Sequence, residues 1–191
     1  MEKIKIIAIV GSLRQDSYNR QLATEAGRIL ADRVRGLVEF ELLEYSDVPL
    51  LNQDMEYPAP VAVKRVRGIV QSADGIWFFS PEYNHSFPGV LKNLIDWLSR
   101  PISSTEPQVL SGKPAAVSGI ALGMYGTGIA QDHLITLISL LNMKVMNQPR
   151  LTIPNAVQQT YQNGRLALAS SAPLLEKQAE AFLTFIKNNG L

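Results

Sequence analysis

Apolar runs of strand length alternate along this chain with stretches whose apolar residues recur at helical spacing, in about five β–α units. That alternation restricts the fold more than any composition does. The strand-like runs are 4–10 "IKIIAIV", 37–43 "LVEFELL", 75–80 "GIWFFS" and 114–121 "PAAVSGIA", with a weaker one across 144–153 "KVMNQPRLTI". Leu22, Ala26, Ile29, Leu30 and Arg33 fall at helical spacing, as do Val90, Leu91, Leu94, Ile95 and Leu98, and later Leu175, Ala179, Phe182, Phe185 and Ile186. Segments 60–73 and 128–143 supply two further helices. The first run is nearly unbroken in its apolarity, as a strand buried on both faces requires. These features predict an α/β fold, a doubly wound parallel sheet with helices on both faces. The stretches 48–60 and 101–114 read as loops, and a chain of 191 residues reads as a single domain, 1–191.

Charge and residue usage exclude several classes of function. Eighteen Lys and Arg against seventeen Asp and Glu leave a net charge of +1, so no surface is built for a polyanion and nucleic acid is not an expected partner. The absence of cysteine removes disulfides, thiolate nucleophiles and iron–sulfur ligation, and the two histidines, His85 and His133, are too few for a metal site. Apolar stretches stay well short of the roughly 20 residues of a membrane helix, which predicts a soluble, cytoplasmic protein.

In doubly wound sheets the ligand lies beyond the carboxyl ends of the strands. Three polar or glycine-rich loops are expected there: "GSLRQDSYNR" at 11–20, "SPEYNHSFPG" at 80–89 and "SGIALGMYGTG" at 118–128. In the first, Ser17 or Asn19 caps the next helix, leaving free N–H groups and the positive dipole end for an anion. The hydroxyls of Ser12 and Ser17, the Asn19 amide and the Arg14 guanidinium complete a cradle for one phosphate. The loop is neither a Walker motif nor the three-glycine dinucleotide fingerprint, since Gly11 is its only glycine. The plainer alternative is a capped turn with its arginines in solvent. In the second loop Tyr83 offers an aromatic face, Asn84 an amide and Glu82 its backbone, with Pro81 stiffening the approach. This set suits a flat heterocycle; the alternative is a turn with an incidental tyrosine. His133 reads as a helix-surface residue, and Asp96 with Arg100 as an intrahelical ion pair.

The motifs "GSLRxxSxNR" at 11–20, "PEYNxSxPGxLKNxIDWLSR" at 81–100 and "GKPAAVSG" at 112–119 resemble the NADPH-dependent FMN reductase family, its chromate and quinone reductases in particular. The resemblance implies a flavodoxin-like five-stranded sheet of order 2-1-3-4-5, FMN as cofactor, NADPH or NADH as co-substrate, and a homodimer or homotetramer. Carried over, it puts Ser12, Arg14, Ser17 and Asn19 on the FMN phosphate with Tyr18 nearby, Pro81, Glu82, Tyr83 and Asn84 along the isoalloxazine, and Ser118 and Gly119 under its far side. The third loop departs from the pattern, with Ile129 where an arginine is expected. The implied activity is transfer of two electrons from NAD(P)H to quinones, flavins, azo compounds or chromate by a ping-pong mechanism. No protein residue is expected to be catalytic, because the flavin carries the chemistry. A flavodoxin-type electron carrier is the first rival; such carriers are acidic, whereas this chain has a pI near 8.0. A non-catalytic flavin-binding regulator is the second. The long loop 47–60, with Leu50, Leu51, Met55 and Tyr57, and the broad apolar stripe of helix 88–100 predict an interface with a second copy.

Overall fold

A computed structural model describes residues 3–161, 163–168 and 170–189. Its strands are β1 (Ile4–Val10), β2 (Val38–Leu42), β3 (Gly75–Phe79), β4 (Pro114–Ile120), β5 (Lys144–Val145) and β6 (Leu151–Ile153). They form one sheet of order β2-β1-β3-β4-β5, and β6 also pairs with β4. Every pairing is parallel. The doubly wound topology is therefore as expected, with one difference at its edge. The predicted run 144–153 is two pieces on the same neighbour, whose register jumps from Ala115↔Val145 to Ser118↔Leu151. Pro149 lies in the gap and has no N–H to give to a ladder.

The helices are α1 (Tyr18–Arg33), α2 (Val61–Gln71), α3 (Gly89–Leu98), α4 (Gly128–Leu140) and α5 (Ala172–Asn189). Side-chain alternation in the strands divides the core between the two faces. Ile6, Ala8, Val10, Trp77 and Phe79 lie with residues of α1 and α5, while Ile7, Ile9, Ile76, Phe78, Ala115 and Val117 lie with those of α2, α3 and α4. Each buried Ile, Val or Phe among them contributes about 1.5–3 kcal/mol relative to exposure.

The broad stripe of α3 is used within the chain. Leu91, Leu94, Ile95 and Leu98 pack onto the sheet, while Trp97 packs with Val63 of α2 and Ala59. The Trp97 indole N–H donates to the Pro49 carbonyl at 2.8 Å. Asn93 accepts from the Leu51 N–H at 2.8 Å and donates to the Pro49 carbonyl at 2.9 Å. The long loop is thus pinned along α3, and the stripe is no argument for an interface. The expected Asp96–Arg100 pair does not form either. Asp96 takes Lys92, one turn earlier, at 2.7 Å, and Arg100 reaches the buried Glu56 carboxylate of the loop at 2.8 and 3.2 Å.

Candidate functional site

The loops that leave β1, β3 and β4 surround a cavity of about 560 Å³. Gly11 lets the first lie against the second: a Cβ there would stand 3.1 Å from Ser80 Oγ and 3.2 Å from Pro81 Cδ. The Gly11 N–H donates to the Phe79 carbonyl at 2.8 Å, and the Tyr45 hydroxyl donates to the Val10 carbonyl at 2.6 Å. Burial pushes the Tyr45 phenol well above its ordinary pKa, so it stays a donor and holds the end of β1.

Ser12, Arg14, Ser17, Tyr18 and Asn19 all line the cavity. Ser12 accepts from the Arg14 N–H at 3.4 Å, and Ser17 caps α1 by accepting from the Arg20 N–H at 3.5 Å. Both are long bonds to buried hydroxyls, and each hydroxyl keeps a proton to donate. The opening N–H groups of a helix have no intrahelical partner, and the first turn of α1 carries no acidic residue. The exposed Arg14 guanidinium lies 5.8 Å from the centre of the Tyr18 ring, within cation–π range. Two hydroxyls, a helix N-terminus and one guanidinium suit a single phosphate dianion.

Asn19 does something else. Its amide is buried and meets the backbone of Ile120 twice, Nδ2 donating to the carbonyl at 2.9 Å and Oδ1 accepting from the N–H at 3.1 Å. The side chain expected on a phosphate therefore ties the start of α1 to the end of β4.

Pro81, Glu82 and Tyr83 line the cavity from the second loop. Tyr83 and Ser86 exchange backbone hydrogen bonds at 2.9 and 3.0 Å around Asn84 and His85, whose φ values are 51° and 59°. Two successive left-handed residues make this a type I′ turn, and asparagine tolerates that region better than most residues. Asn84 is accordingly an exposed turn former and does not line the cavity. Glu82 contributes its carboxylate as well as its backbone. Oε2 accepts the Ala130 N–H in the first turn of α4 at 2.9 Å, which joins the second loop to the third, and Oε1 lies 3.4 Å from His85 Nδ1. His133 is exposed, 3.3 Å from Ser86 Oγ.

Ser118 and Gly119 lie inside β4, and neither side of that strand opens to the cavity there. Ser118 is fully buried on the α5 side, accepting from the Trp77 indole N–H at 2.7 Å and donating to Gln178 at 2.6 Å. Gly119 faces the other way, where a Cβ would overlap both the Ser80 carbonyl and Thr127 Oγ1. The third wall is made instead by Ile120, Ala121, Leu122 and Gly123, which the sequence reading missed. They belong to the loop 118–128 expected on this rim, and the rule that ligands lie past the strand end favours them over Ser118 and Gly119, which are inside β4. Ile129, in place of the expected arginine, is partly exposed in the first turn of α4.

The profile of the NADPH-dependent FMN reductases matches residues 4–158. A 2-hydroxy-1,4-benzoquinone reductase from a Burkholderia species is 34% identical over 185 residues, 97% of each chain. An NAD(P)H-dependent FMN reductase of Pseudomonas aeruginosa is 37% identical over 187 residues, again 97% of each. Among solved structures, the flavoenzyme NAD(P)H:(acceptor) oxidoreductase FerB from Paracoccus denitrificans superposes with a TM-score of 0.86 at 32% identity, covering 98% of this chain and 100% of that one. The matched span includes all three loops, and the chain belongs to the NADPH-dependent FMN reductase family, as an FMN-dependent oxidoreductase that draws electrons from a reduced nicotinamide.

Proposed function

We propose that the acceptor is a small planar molecule of the quinone class, and that donor and acceptor take turns at one open face of the cofactor in a ping-pong mechanism. The observation that carries this reading is the cavity at the strand ends, with a one-phosphate cradle at Ser12, Ser17 and Arg14 and apolar or aromatic groups at Pro81, Tyr83 and Ile120. When bound, FMN supplies the two-electron chemistry, accepting a hydride and passing the electrons on. Ser12, Ser17, Arg14 and the first N–H groups of α1 hold its phosphate, with Tyr18 beside it. Pro81, Glu82 and Tyr83 bound the ring system on one side and residues 120–123 on the other. Asn19, Gly119 and the Glu82 carboxylate keep these walls in place, Ser118 supports β4 from within, and Asn84 shapes the turn. Flavins, azo compounds and chromate are further acceptors for the same face.

Steady-state oxidation of NADPH with 1,4-benzoquinone, with and without added FMN, tests the reading. Turnover that requires both quinone and FMN, with parallel lines in double-reciprocal plots, is the expected result. FMN-loaded protein that oxidises NADPH no faster with quinone than without it contradicts the reading.

In this reading the chain works as a homodimer or homotetramer. Leu13 and Leu50, 44% and 81% exposed, border a largely apolar cavity of about 520 Å³ on the other side of Tyr83, which a second copy would cover. Sedimentation with light scattering at micromolar concentration is expected to give a dimer or tetramer. A stable, FMN-loaded, active monomer refutes it.

A further inference from the structure

Beyond Tyr18, on the side away from the flavin cavity's second and third walls, lies another groove of about 570 Å³. It shares Arg14 and Tyr18 with the first cavity, so the two adjoin. Its far bank is a short hairpin. Thr160 and Leu166 form an antiparallel bridge, Tyr161 and Arg165 are joined by a 2.8 Å backbone bond, and Gly164 takes the left-handed φ of 77° that the turn needs. The Asn163 side chain accepts the Arg165 N–H at 3.0 Å, and the Leu166 N–H donates to Gln21 of α1 at 2.8 Å. Arg165 is thereby carried on a hairpin fixed against the start of α1.

The charges in this groove are unusual for the chain. Most of its arginines are engaged: Arg20, Arg28, Arg33, Arg65, Arg100 and Arg150 in ion pairs, and Arg67 on the Trp97 carbonyl. Arg14, Arg35 and Arg165 have no side-chain ion pair among the described residues, and Arg14 and Arg165 face one groove. Asp16 is the single carboxylate in the lining and pairs with neither. Gln15, Gln21 and Asn163 add amides. A groove of this volume is large enough for a nucleotide fragment. With FMN bound, Arg14 is engaged by the flavin phosphate, and Arg165 is the guanidinium of this lining left without a counter-charge among the described residues; beside the amides of Gln15, Gln21 and Asn163 it can meet a second phosphate in bidentate fashion.

We propose that this groove binds a phosphate of the adenosine half of the nicotinamide donor, with Arg165 as the residue that recognises it. The proposal rests on the reading of the chain as a nicotinamide-dependent reductase. A phosphate at this position has two sources in the donor, the 2′-phosphate that NADPH alone carries and the pyrophosphate that NADPH and NADH share. Arg165 is brought into the same groove as Arg14, 151 residues earlier in the chain, where Leu166 is held on Gln21.

The test uses the FMN-loaded enzyme and its Arg165→Ala and Arg165→Lys variants. Turnover of NADPH and NADH with 1,4-benzoquinone is measured beside calorimetric binding of adenosine 2′,5′-bisphosphate, with ADP as the comparison ligand. Loss of a bidentate charged contact is expected to lower kcat/KM for NADPH about ten-fold or more, through KM, with FMN content and kcat unchanged. Arg165→Lys recovers part of the loss. A fall confined to NADPH and to the bisphosphate assigns the groove to the 2′-phosphate, and an equal fall for NADH and ADP assigns it to the pyrophosphate. Unchanged KM for both nucleotides together with unchanged bisphosphate and ADP binding overturns the proposal. Because binding is measured without turnover, an enzyme that fails to oxidise either nucleotide speaks against the proposed function and leaves this result separately readable.

Discussion

Replacing Asn19 with alanine is expected to cost about 2–5 kcal/mol of stability and to abolish tight flavin binding, although no contact between this amide and the cofactor is needed for either effect. The amide is buried and satisfies both the N–H and the carbonyl of Ile120, at 3.1 and 2.9 Å. Alanine leaves both backbone groups without a partner in a region closed to bulk water, and each such orphan costs about 1–3 kcal/mol. The loss falls where the first and third loops meet, so the cavity loses its shape as well as its support. Urea denaturation checks the first part, through a lower midpoint at unchanged slope. Fluorescence titration with FMN checks the second. An unchanged midpoint with weakened FMN binding would restore Asn19 to the role of a phosphate ligand and refute its role as a tie between α1 and β4.

What was legible in the sequence, and what was not, divides by the distance over which the controlling interaction acts. Strand and helix positions follow from periodicities of a few residues, and β1, β3 and all five helices lie where those periodicities put them. The motif at 11–20 is equally local. Ser17 caps the helix three residues on, at Arg20, and a short polar loop after a buried strand declares its own geometry. The edge strand broke because Pro149 cannot continue a ladder, a local signal that the apolar pattern around it obscured. Asn19, Glu82 and Ser118 are a different case. Their partners are Ile120, Ala130 and Gln178, 101, 48 and 60 residues away. A polar side chain near a predicted loop looks the same in the sequence whether it faces a ligand or closes a long-range tie. Gly119 shows the converse, since a glycine in a small-residue run gives no sign that it sits against the Ser80 carbonyl and Thr127. Arg100 followed the same logic: the carboxylate four residues before it, Asp96, had a nearer partner in Lys92, and the buried Glu56 was beyond the reach of helical spacing.

The second large effect concerns Arg14, and it bears on the claim that the first loop recognises a phosphate. Arg14 lies at the mouth of the cavity, within cation–π range of Tyr18 and without an acidic partner among the described residues, which leaves its charge available to an anion. Ser12, Ser17 and the start of α1 supply hydrogen bonds, but Arg14 supplies the only full positive charge among the residues that line this cavity. A charge-assisted hydrogen bond is worth about 1.5–3 kcal/mol, so Arg14→Ala should weaken FMN binding by roughly ten- to a hundred-fold. Riboflavin has the same ring system and no phosphate, and its affinity should change little. The measurement is a fluorescence titration of both flavins against the apoprotein and its Arg14→Ala variant. The intact protein is expected to prefer FMN, and the variant to lose most of this preference. Riboflavin binding as tight as that of FMN in the intact protein, or an equal loss of both flavins in the variant, would contradict phosphate recognition by this loop.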